Sequence, residues 1–157
     1  MDDFDRKILA LYQHDTRRVA ESIGADVGLS AAAVQRRLKR LRDDGVIVAN
    51  VAVLDGAAVG APITCIVTLS MASAPHELDR FRRAMRELAE VQQCYQVTGA
   101  CDFVLVVAAA SVEAYGAFAR QWFEGNAQVS RYETFVVLNR VKAGLSLPIA
   151  TERGARG

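Results

Sequence analysis

A chain of 157 residues with 52% hydrophobic side chains can hold one medium-sized domain or two small ones, with enough apolar material for a core. The 19 basic and 18 acidic residues nearly balance, so the formal net charge is only +1. This balance excludes a general affinity for polyanions, and any contact with nucleic acid has to come from a local basic patch.

The cysteines and the amino-terminal residues bear on the compartment of the protein. Cys65, Cys94 and Cys101 are an odd number without a Cys-x-x-Cys pair, which argues against a disulfide framework and against a zinc site. Residues 1–5 do not read as a secretory signal, and no apolar run approaches the roughly 18 residues of a membrane span. We therefore predict a cytoplasmic protein with reduced thiols, without a metal ion or a cofactor.

A first helix is predicted close to the amino terminus. Asp3 or Asp5 can serve as its N-cap, and the helix ends near residues 14–16. Its apolar side consists of Phe4, Ile8, Leu11 and Tyr12. This helix is expected to support a pair of shorter helices, since two short helices alone bury too little surface.

Two short helices joined by a tight turn are predicted next. Residues 20–27 form the first, Gly28 supplies the turn, and Ser30 caps a second helix that is bounded by Gly45. The apolar stripe of the second helix consists of Val34, Leu38 and Leu41. This arrangement is typical of a helix-turn-helix, whose second helix enters the major groove of DNA.

The second of these helices carries a concentrated positive charge. The basic residues between positions 36 and 42, where no acid occurs, are Arg36, Arg37, Lys39, Arg40 and Arg42. A solvated helix with a basic outer face is one interpretation of this pattern. The helix-turn-helix context favours the other, a helix that faces DNA phosphates.

The start of this helix is expected to enter the groove, because its small side chains let the backbone come close to DNA. Gln35 or Arg36 can then reach base edges, whereas Lys39 and Arg40 meet phosphates. The residues predicted to bind DNA are Ser30, Ala32, Ala33, Gln35, Arg36, Arg37, Lys39 and Arg40.

β-Branched and apolar residues dominate residues 46–55, which predicts a strand that leads out of the helical domain. Gly56, Gly60 and Pro62 then punctuate the chain. The predicted domains are a helix-turn-helix domain over residues 1–46, a strand linker over 47–62, a second domain over 63–148 and a disordered tail over 149–157.

The second domain shows a regular order of elements. Strands are predicted over residues 63–71, 91–98, 102–108 and 129–138, and helices over residues 75–90 and from Ser111 to Trp122. This βαββαβ order is ferredoxin-like, with one antiparallel sheet and both helices on one side. Because the strands are too apolar for an open face in a monomer, we expect the other face to pair with a second copy.

Several motifs are specific enough to be compared with known families. They are residues 9–15 with Arg17, residues 27–30, residues 37–41 with 45–47, residues 97–99 with Asp102 and Phe103, and residues 134–137. Over nearly its whole length the chain resembles the Lrp/AsnC, or feast/famine, family of regulators. The resemblance implies an α+β protein, with an N-terminal winged-type helix-turn-helix domain and a C-terminal ferredoxin-like βαββαβ (RAM/ACT-like) domain.

The resemblance also implies a function. Family members are transcription regulators that dimerise through the sheet domain, commonly assemble into tetramers or octamers, and bind pseudo-palindromic promoter DNA. An amino acid or related small molecule binds between their sheet domains. The positions that correspond to this effector pocket are Gln96, Gly99, Ala100, Cys101, Asp102, Thr134, Phe135 and Val136.

The residue types at two of these positions suit an α-amino acid. Backbone N–H groups at Gly99 can face its carboxylate, while the Asp102 carboxylate can hold its ammonium. The alternative is that Gly99 and Asp102 only shape a β-hairpin, which their residue types also favour.

The sequence departs from the family pattern at four positions. Ala100 and Cys101 make the predicted effector loop smaller and less polar than usual. Val19 stands where a capping Ser or Asn is usual, and Gly24 lies inside the first helix of the helix-turn-helix. Each of the latter two is expected to weaken that helix by about 1 kcal/mol.

Two other functions remain open at this point. An architectural protein of the nucleoid type would use the same helices with little sequence preference. An enzyme would need a convergent acid, base or nucleophile, but His14 and His76 fall in different predicted domains and no cysteine has an obvious histidine partner. We therefore predict no catalytic residues.

Overall fold

The structure of the protein is a computed structural model, which describes residues 1–72 and 75–151 and gives the backbone alone for residues 75–77. The described chain divides into a helical unit, residues 1–52 with the segment that begins at residue 142, and a sheet unit, residues 53–141. None of the described helices combines the length and the apolar composition needed to cross a bilayer. Most of the predicted disordered tail, from residue 152 onward, lies outside the described residues.

Helix α1 spans Asp3–Tyr12, and its N-cap is Asp2, so the predicted caps Asp3 and Asp5 were wrong. The Asp2 side chain accepts a hydrogen bond from the Asp5 N–H, and the Asp5 side chain accepts one from the Asp2 N–H, each at 2.9 Å. This reciprocal capping box needs two acceptors three positions apart. Asp2 and Asp5 meet that requirement, whereas Asp3 is followed three positions later by Arg6.

Helices α2, Ala20–Val27, and α3, Ala31–Asp43, form the predicted helix-turn-helix. Gly28 adopts a left-handed φ of 77° at the turn, where a side chain would be strained. The Ser30 side chain caps α3 by accepting a hydrogen bond from the Ala33 N–H at 3.3 Å. The bounds of both helices therefore follow from local signals in the sequence.

Gly24 has a packing role that the sequence did not show. A Cβ atom at this position would lie 2.4 Å from the backbone oxygen of Leu29. The Gly24 carbonyl also accepts hydrogen bonds from the N–H groups of Gly28 and Leu29, at 2.8 and 2.9 Å. The glycine thus lets the turn fold back onto α2, and the expectation that it only weakens the helix was incomplete. Val19 is the N-cap of α2 and makes no side-chain capping bond, as expected.

The three helices share a small core. The apolar faces of α1 and α3 meet α2 there, so that each short helix buries its stripe against the other two. The core cluster consists of Ile8, Tyr12, Ile23, Val34 and Leu38.

The strand predicted over residues 46–55 does not form, although the structure describes all of these residues. Val48 and Val53 are 89% and 93% exposed. A strand needs a neighbour to take its backbone hydrogen bonds, and within this chain the segment pairs with no strand of the sheet. β-Branched composition alone was therefore an insufficient signal.

The sheet unit contains the predicted βαββαβ order. Its elements are β1 Ile63–Met71, α4 Pro75–Glu87, β2 Val91–Gln96, β3 Phe103–Ala109, α5 Val112–Ala119 and β4 Val129–Val136. A π-helical turn, Arg120–Glu124, continues α5 and was not predicted. The strands pair antiparallel in the order β2-β3-β1-β4, which confirms the ferredoxin-like topology.

The two faces of the sheet have different surroundings. Val67 and Leu105 are fully buried in a core cluster with Phe81 of α4 and Phe118 of α5, so both helices cover this face. On the opposite face lie Ile66 with its paired residues Val106 of β3 and Phe135 of β4. Since successive residues of a strand point to opposite sides, these apolar residues stay uncovered within one chain, beside polar residues of the same strands.

Candidate DNA and effector sites

The outer face of α3 presents most of the residues that were predicted to bind DNA. Ser30, Ala32, Gln35, Arg36 and Lys39 are exposed, whereas the apolar stripe of the helix is buried. Neither Gln35 nor Arg36 has a side-chain partner in the part of the chain that the structure describes. Both side chains are therefore free to reach a base edge.

Two arginines of α3 are held by α1. Arg37 Nη1 lies 2.7 Å from Asp2 Oδ2 and 2.8 Å from Asp5 Oδ1, and the Phe4 ring lies beneath its guanidinium. Arg40 Nη2 lies 2.6 Å from Asp5 Oδ2. We call Asp2 and Asp5 the carboxylate pair. This pair joins the first turn of α1 to the middle of α3.

The carboxylate pair stays ionised because its partners are positive or donate hydrogen bonds. The Asp5 N–H and the Arg37 guanidinium lower the pKa of Asp2 to about 2. Burial by itself raises the pKa of Asp5, but the Asp2 N–H and Arg37 outweigh this effect and lower that pKa overall. The same contacts raise the pKa of Arg37.

Lys39 and Arg42 of α3 have partners outside the carboxylate pair. Lys39 Nζ lies 2.6 Å from Asp43 Oδ2, and both side chains are mostly exposed. Arg42 donates a hydrogen bond to the Tyr12 hydroxyl at 2.9 Å. The positive charge counted in the sequence is therefore partly offset by acids, and the acids on α1 were missed. The three-residue spacing of Asp2 and Asp5 is a capping signal, but it does not indicate a contact with a distant helix.

The loop between β2 and β3 has the geometry of a shaped hairpin. Gly99 adopts a φ of 125°, which a side chain would strain. The Asp102 N–H donates to the Leu69 carbonyl at 2.8 Å, and Asp102 Oδ2 accepts from the Met71 N–H at 2.7 Å. The Asp102 carboxylate is thus engaged in a hydrogen bond that stabilises the end of β1. Its role toward an ammonium group stays a prediction.

The remaining predicted effector residues do not meet at one place in the single chain. Thr134 faces the helices, where its hydroxyl bonds the Tyr115 hydroxyl at 2.5 Å. Phe135 lies on the uncovered face of the sheet, and Val136 follows it at the end of β4. Gln96 accepts hydrogen bonds from Arg82 of α4.

Two of the predicted residues do line a depression of about 310 Å³. Sequence reasoning missed its other four residues, because they belong to β1 and β4 and are brought together by the register of the strands, which pairs Thr68 with Glu133 and Ser70 with Arg131. Arg131 and Glu133 form an ion pair in it. The depression is lined by Thr68, Ser70, Ala100, Cys101, Arg131 and Glu133.

A second, larger depression of about 650 Å³ lies at the end of β2, lined by Gln96, Val97 and Thr98. No group of three or more His, Cys, Asp or Glu side chains among the described residues is placed to hold a metal ion.

Two family models together match most of the chain. Residues 1–42 match the AsnC-type helix-turn-helix domain, and residues 64–147 match the Lrp/AsnC ligand binding domain. The chain is 41% identical over 150 residues to an HTH-type transcriptional regulator of Sinorhizobium fredii, a match that covers 95% of this chain and 89% of the relative.

Solved structures give the same result. The chain has a TM-score of 0.86 and 31% identity with an AsnC family transcriptional regulator from Agrobacterium tumefaciens, covering 94% of this chain and 97% of that one. It has a TM-score of 0.88 and 27% identity with a transcriptional regulator of Neisseria meningitidis in complex with L-Met, covering 94% and 96%.

Proposed function

This chain belongs to the Lrp/AsnC family of transcriptional regulators, and on that premise we propose that it binds specific DNA sites in the cytoplasm under the control of a small effector. It is a regulator with a ligand-binding domain, not an enzyme. The effector in this proposal is an amino acid or a related small molecule. We assign DNA binding to residues 1–46, linkage to residues 47–62, and effector binding and assembly to residues 63–148.

The exposed start of α3 carries the DNA-binding part of this proposal. Ser30 caps the helix, and the small Ala32 and Ala33 let its N-terminus approach the floor of a major groove. Gln35 and Arg36, which have no partners among the described side chains, then read base edges. The further positive charge for phosphates comes from Arg37, Lys39 and Arg40.

The effector part is supported by the depression at the end of the uncovered sheet face. It holds one guanidinium and one carboxylate side by side, Arg131 and Glu133, which matches the two charges of an α-amino acid. Ala100 and Cys101 leave room on its other side. The L-Met complex of the Neisseria relative concerns a ligand of this class.

Assembly is the third part of the proposal. Ile66, Tyr95 and Phe135 are exposed on or beside the face of the sheet that the helices leave uncovered. A second copy that covers this face would bury these side chains and create a dimer that displays two α3 helices. Tetramers or octamers would follow from further contacts between dimers. An effector then acts by binding one of these assemblies more tightly than another.

Selection from a random pool of duplex DNA by the full-length protein, followed by footprinting, tests the DNA-binding part. We expect recovery of a pseudo-palindromic sequence that is protected as a discrete site in the presence of competitor DNA. Uniform protection without a preferred sequence would instead support the architectural alternative.

Thermal unfolding in the presence of each of the twenty amino acids tests the effector part. A ligand raises the unfolding temperature by an amount set by its concentration relative to its dissociation constant. Sedimentation velocity with the stabilising amino acid then shows whether it changes the assembly. If no amino acid alters either the unfolding temperature or the assembly, this part of the proposal is refuted.

A further inference from the structure

We propose that Asp5 is a positioning residue for DNA recognition, whose buried carboxylate fixes the orientation in which Arg40 of α3 meets DNA. The inference rests on the proposed function, because it concerns the same surface of α3. It adds a residue of α1 that does not itself contact the nucleic acid.

Asp5 is fully buried, and both of its carboxylate oxygens are occupied. Oδ1 accepts a hydrogen bond from Arg37 Nη1 at 2.8 Å. Oδ2 accepts one from Arg40 Nη2 at 2.6 Å and another from the Asp2 N–H at 2.9 Å. A buried carboxylate that loses a charged partner is strongly destabilised, so these contacts keep both guanidinium groups in place.

The two arginines differ in their exposure and in the hydrogen-bond donors that remain free for DNA. The Arg37 side chain is 21% exposed, and its Nη1 bridges Asp2 and Asp5, so it mainly connects α1 to α3. The Arg40 side chain is 50% exposed. Of its five side-chain N–H groups, one donates to Asp5, and no other bond of the Arg40 side chain occurs among the described residues. The remaining donors are available to DNA.

An arginine that is anchored along one edge has lost rotational freedom before DNA arrives. Binding a phosphate then costs less entropy, and the contact holds α3 in one register on the duplex, in which Gln35 and Arg36 reach their base edges. A free arginine with the same charge would still attract DNA, but it would adapt to many sequences. By anchoring Arg40, Asp5 therefore lowers the attraction of α3 for DNA in general and raises its preference for one sequence.

The control variant separates this positioning from a simple gain of charge. Asp43 is also a carboxylate beside the basic face of α3, but it is mostly exposed and pairs with Lys39. Asp5→Asn and Asp43→Asn each remove one negative charge. Only Asp5→Asn releases Arg40 from its anchor.

The experiment uses the full-length protein with two duplexes, one that the wild type has selected from a random pool and one scrambled sequence of the same composition. Fluorescence anisotropy over a series of KCl concentrations gives both affinities and their salt dependence. We expect Asp5→Asn to lower the ratio of specific to scrambled affinity about tenfold and to steepen the salt dependence on scrambled DNA. Asp43→Asn should raise both affinities similarly and keep the ratio.

Two results would overturn the inference. The ratio could stay at its wild-type value in Asp5→Asn, or it could change equally in both variants. Either result counts only for a folded Asp5→Asn protein, as judged by circular dichroism. A wild type that selects no duplex at all overturns the proposed function as well.

A second variant covers the case in which Asp5→Asn does not fold, as judged by circular dichroism. Arg40→Lys keeps the charge and leaves Asp5 paired with Arg37. An ammonium group has no separate edges with which to bind Asp5 and DNA in fixed directions. We expect its affinity ratio to fall to a similar extent with the salt dependence unchanged, and an unchanged ratio would refute the role of Arg40.

Discussion

The helical unit and the sheet unit are stabilised by different means. Among the described residues, the core cluster of the helical unit contains five buried side chains, whereas that of the sheet unit contains thirteen. Ion pairs are distributed in the opposite way, with Asp2, Asp5 and their arginines in the helical unit and mostly exposed pairs such as Arg131 with Glu133 in the sheet unit.

This difference follows from the sizes of the two units and from the functions proposed for them. A unit of three short helices buries less apolar surface than the sheet unit, so the loss of one partner of the buried Asp5 removes a larger share of its stability. The same charges lie next to the face proposed to bind DNA. The sheet unit, which is proposed to hold the assembly together, has a large apolar core instead. We therefore expect acid and salt to affect the helical unit more than the sheet unit, and changes in packing to affect the sheet unit more.

The largest effect is expected from a cavity in the sheet unit. Phe103 is 1% exposed, and its ring lies 5.0 Å from that of Phe81. Phe103→Ala should cost about 3–5 kcal/mol in the free energy of unfolding. Urea unfolding followed by fluorescence of the single tryptophan, Trp122, measures this unit. Val112→Ala, at an exposed position of α5, should stay within about 0.5 kcal/mol of the wild type. Equal losses in both variants would contradict a tightly packed core.

The next largest effect on stability is expected when a glycine is replaced by alanine, and each unit offers one such position. Gly24→Ala puts a Cβ atom 2.4 Å from the Leu29 backbone oxygen, so we expect a loss of about 1–3 kcal/mol despite the better helix propensity of alanine. In Gly116→Ala of α5 the nearest atom, at 3.4 Å, belongs to the flexible Arg120 side chain. That variant should gain about 0.5–1 kcal/mol. Thermal unfolding compares the two, and a stabilised Gly24→Ala protein would show that the turn can relax.

The helical unit should lose stability in acid, and the sheet unit should lose stability in alkali. The folded pKa of Asp2 is about 2, below the ordinary 3.8. Its contribution to the stability of the helical unit is therefore present above pH 3.8 and is lost as the pH falls toward 2. In the sheet unit the hydrogen bond to Glu124 raises the pKa of Tyr132 from 10 to about 12. Its contribution is present below pH 10 and is lost as the pH rises toward 12.

Nuclear magnetic resonance spectra, which report on both units separately, check this prediction in acid and in alkali. Asp2→Asn should make the stability of the helical unit less dependent on pH in acid. Tyr132→Phe should make the stability of the sheet unit less dependent on pH in alkali. If Asp2→Asn made the stability of the sheet unit less dependent on pH instead, the assignment of acid sensitivity to the helical unit would be wrong.

The elements that could be predicted are those that carry their own local signals. Gly28 and Ser30 predict the turn between α2 and α3, and the apolar run that follows Pro62 predicts β1 with its observed bounds, Ile63–Met71. The βαββαβ order then follows from periodicity and the usual rules of connection. The strand predicted over residues 46–55 failed because a strand also depends on a partner, which local composition does not reveal.

The parts of the sites that could not be predicted depend on contacts between distant residues. Asp5 and Arg40 are 35 positions apart, and nothing in either segment indicates that they meet. Arg131 and Glu133 join Cys101 in one depression only because of the register between β1 and β4. Sequence reasoning therefore found residues of suitable chemistry, but not the acids that restrain them.

The smallest effect on stability is expected at an exposed ion pair of the helical unit. Lys39 and Asp43 are one turn apart and mostly exposed, so Lys39→Ala should change the free energy of unfolding by no more than about 0.5 kcal/mol. Its effect should appear in DNA binding, as an equal loss on selected and scrambled duplexes and a salt slope lower by about one unit. Arg36→Ala removes the same charge from an exposed side chain that has no partner among the described residues, and it should instead reduce the preference for the selected sequence. Anisotropy titrations with both duplexes distinguish the two roles, and identical losses in the two variants would show that both residues act on phosphates alone.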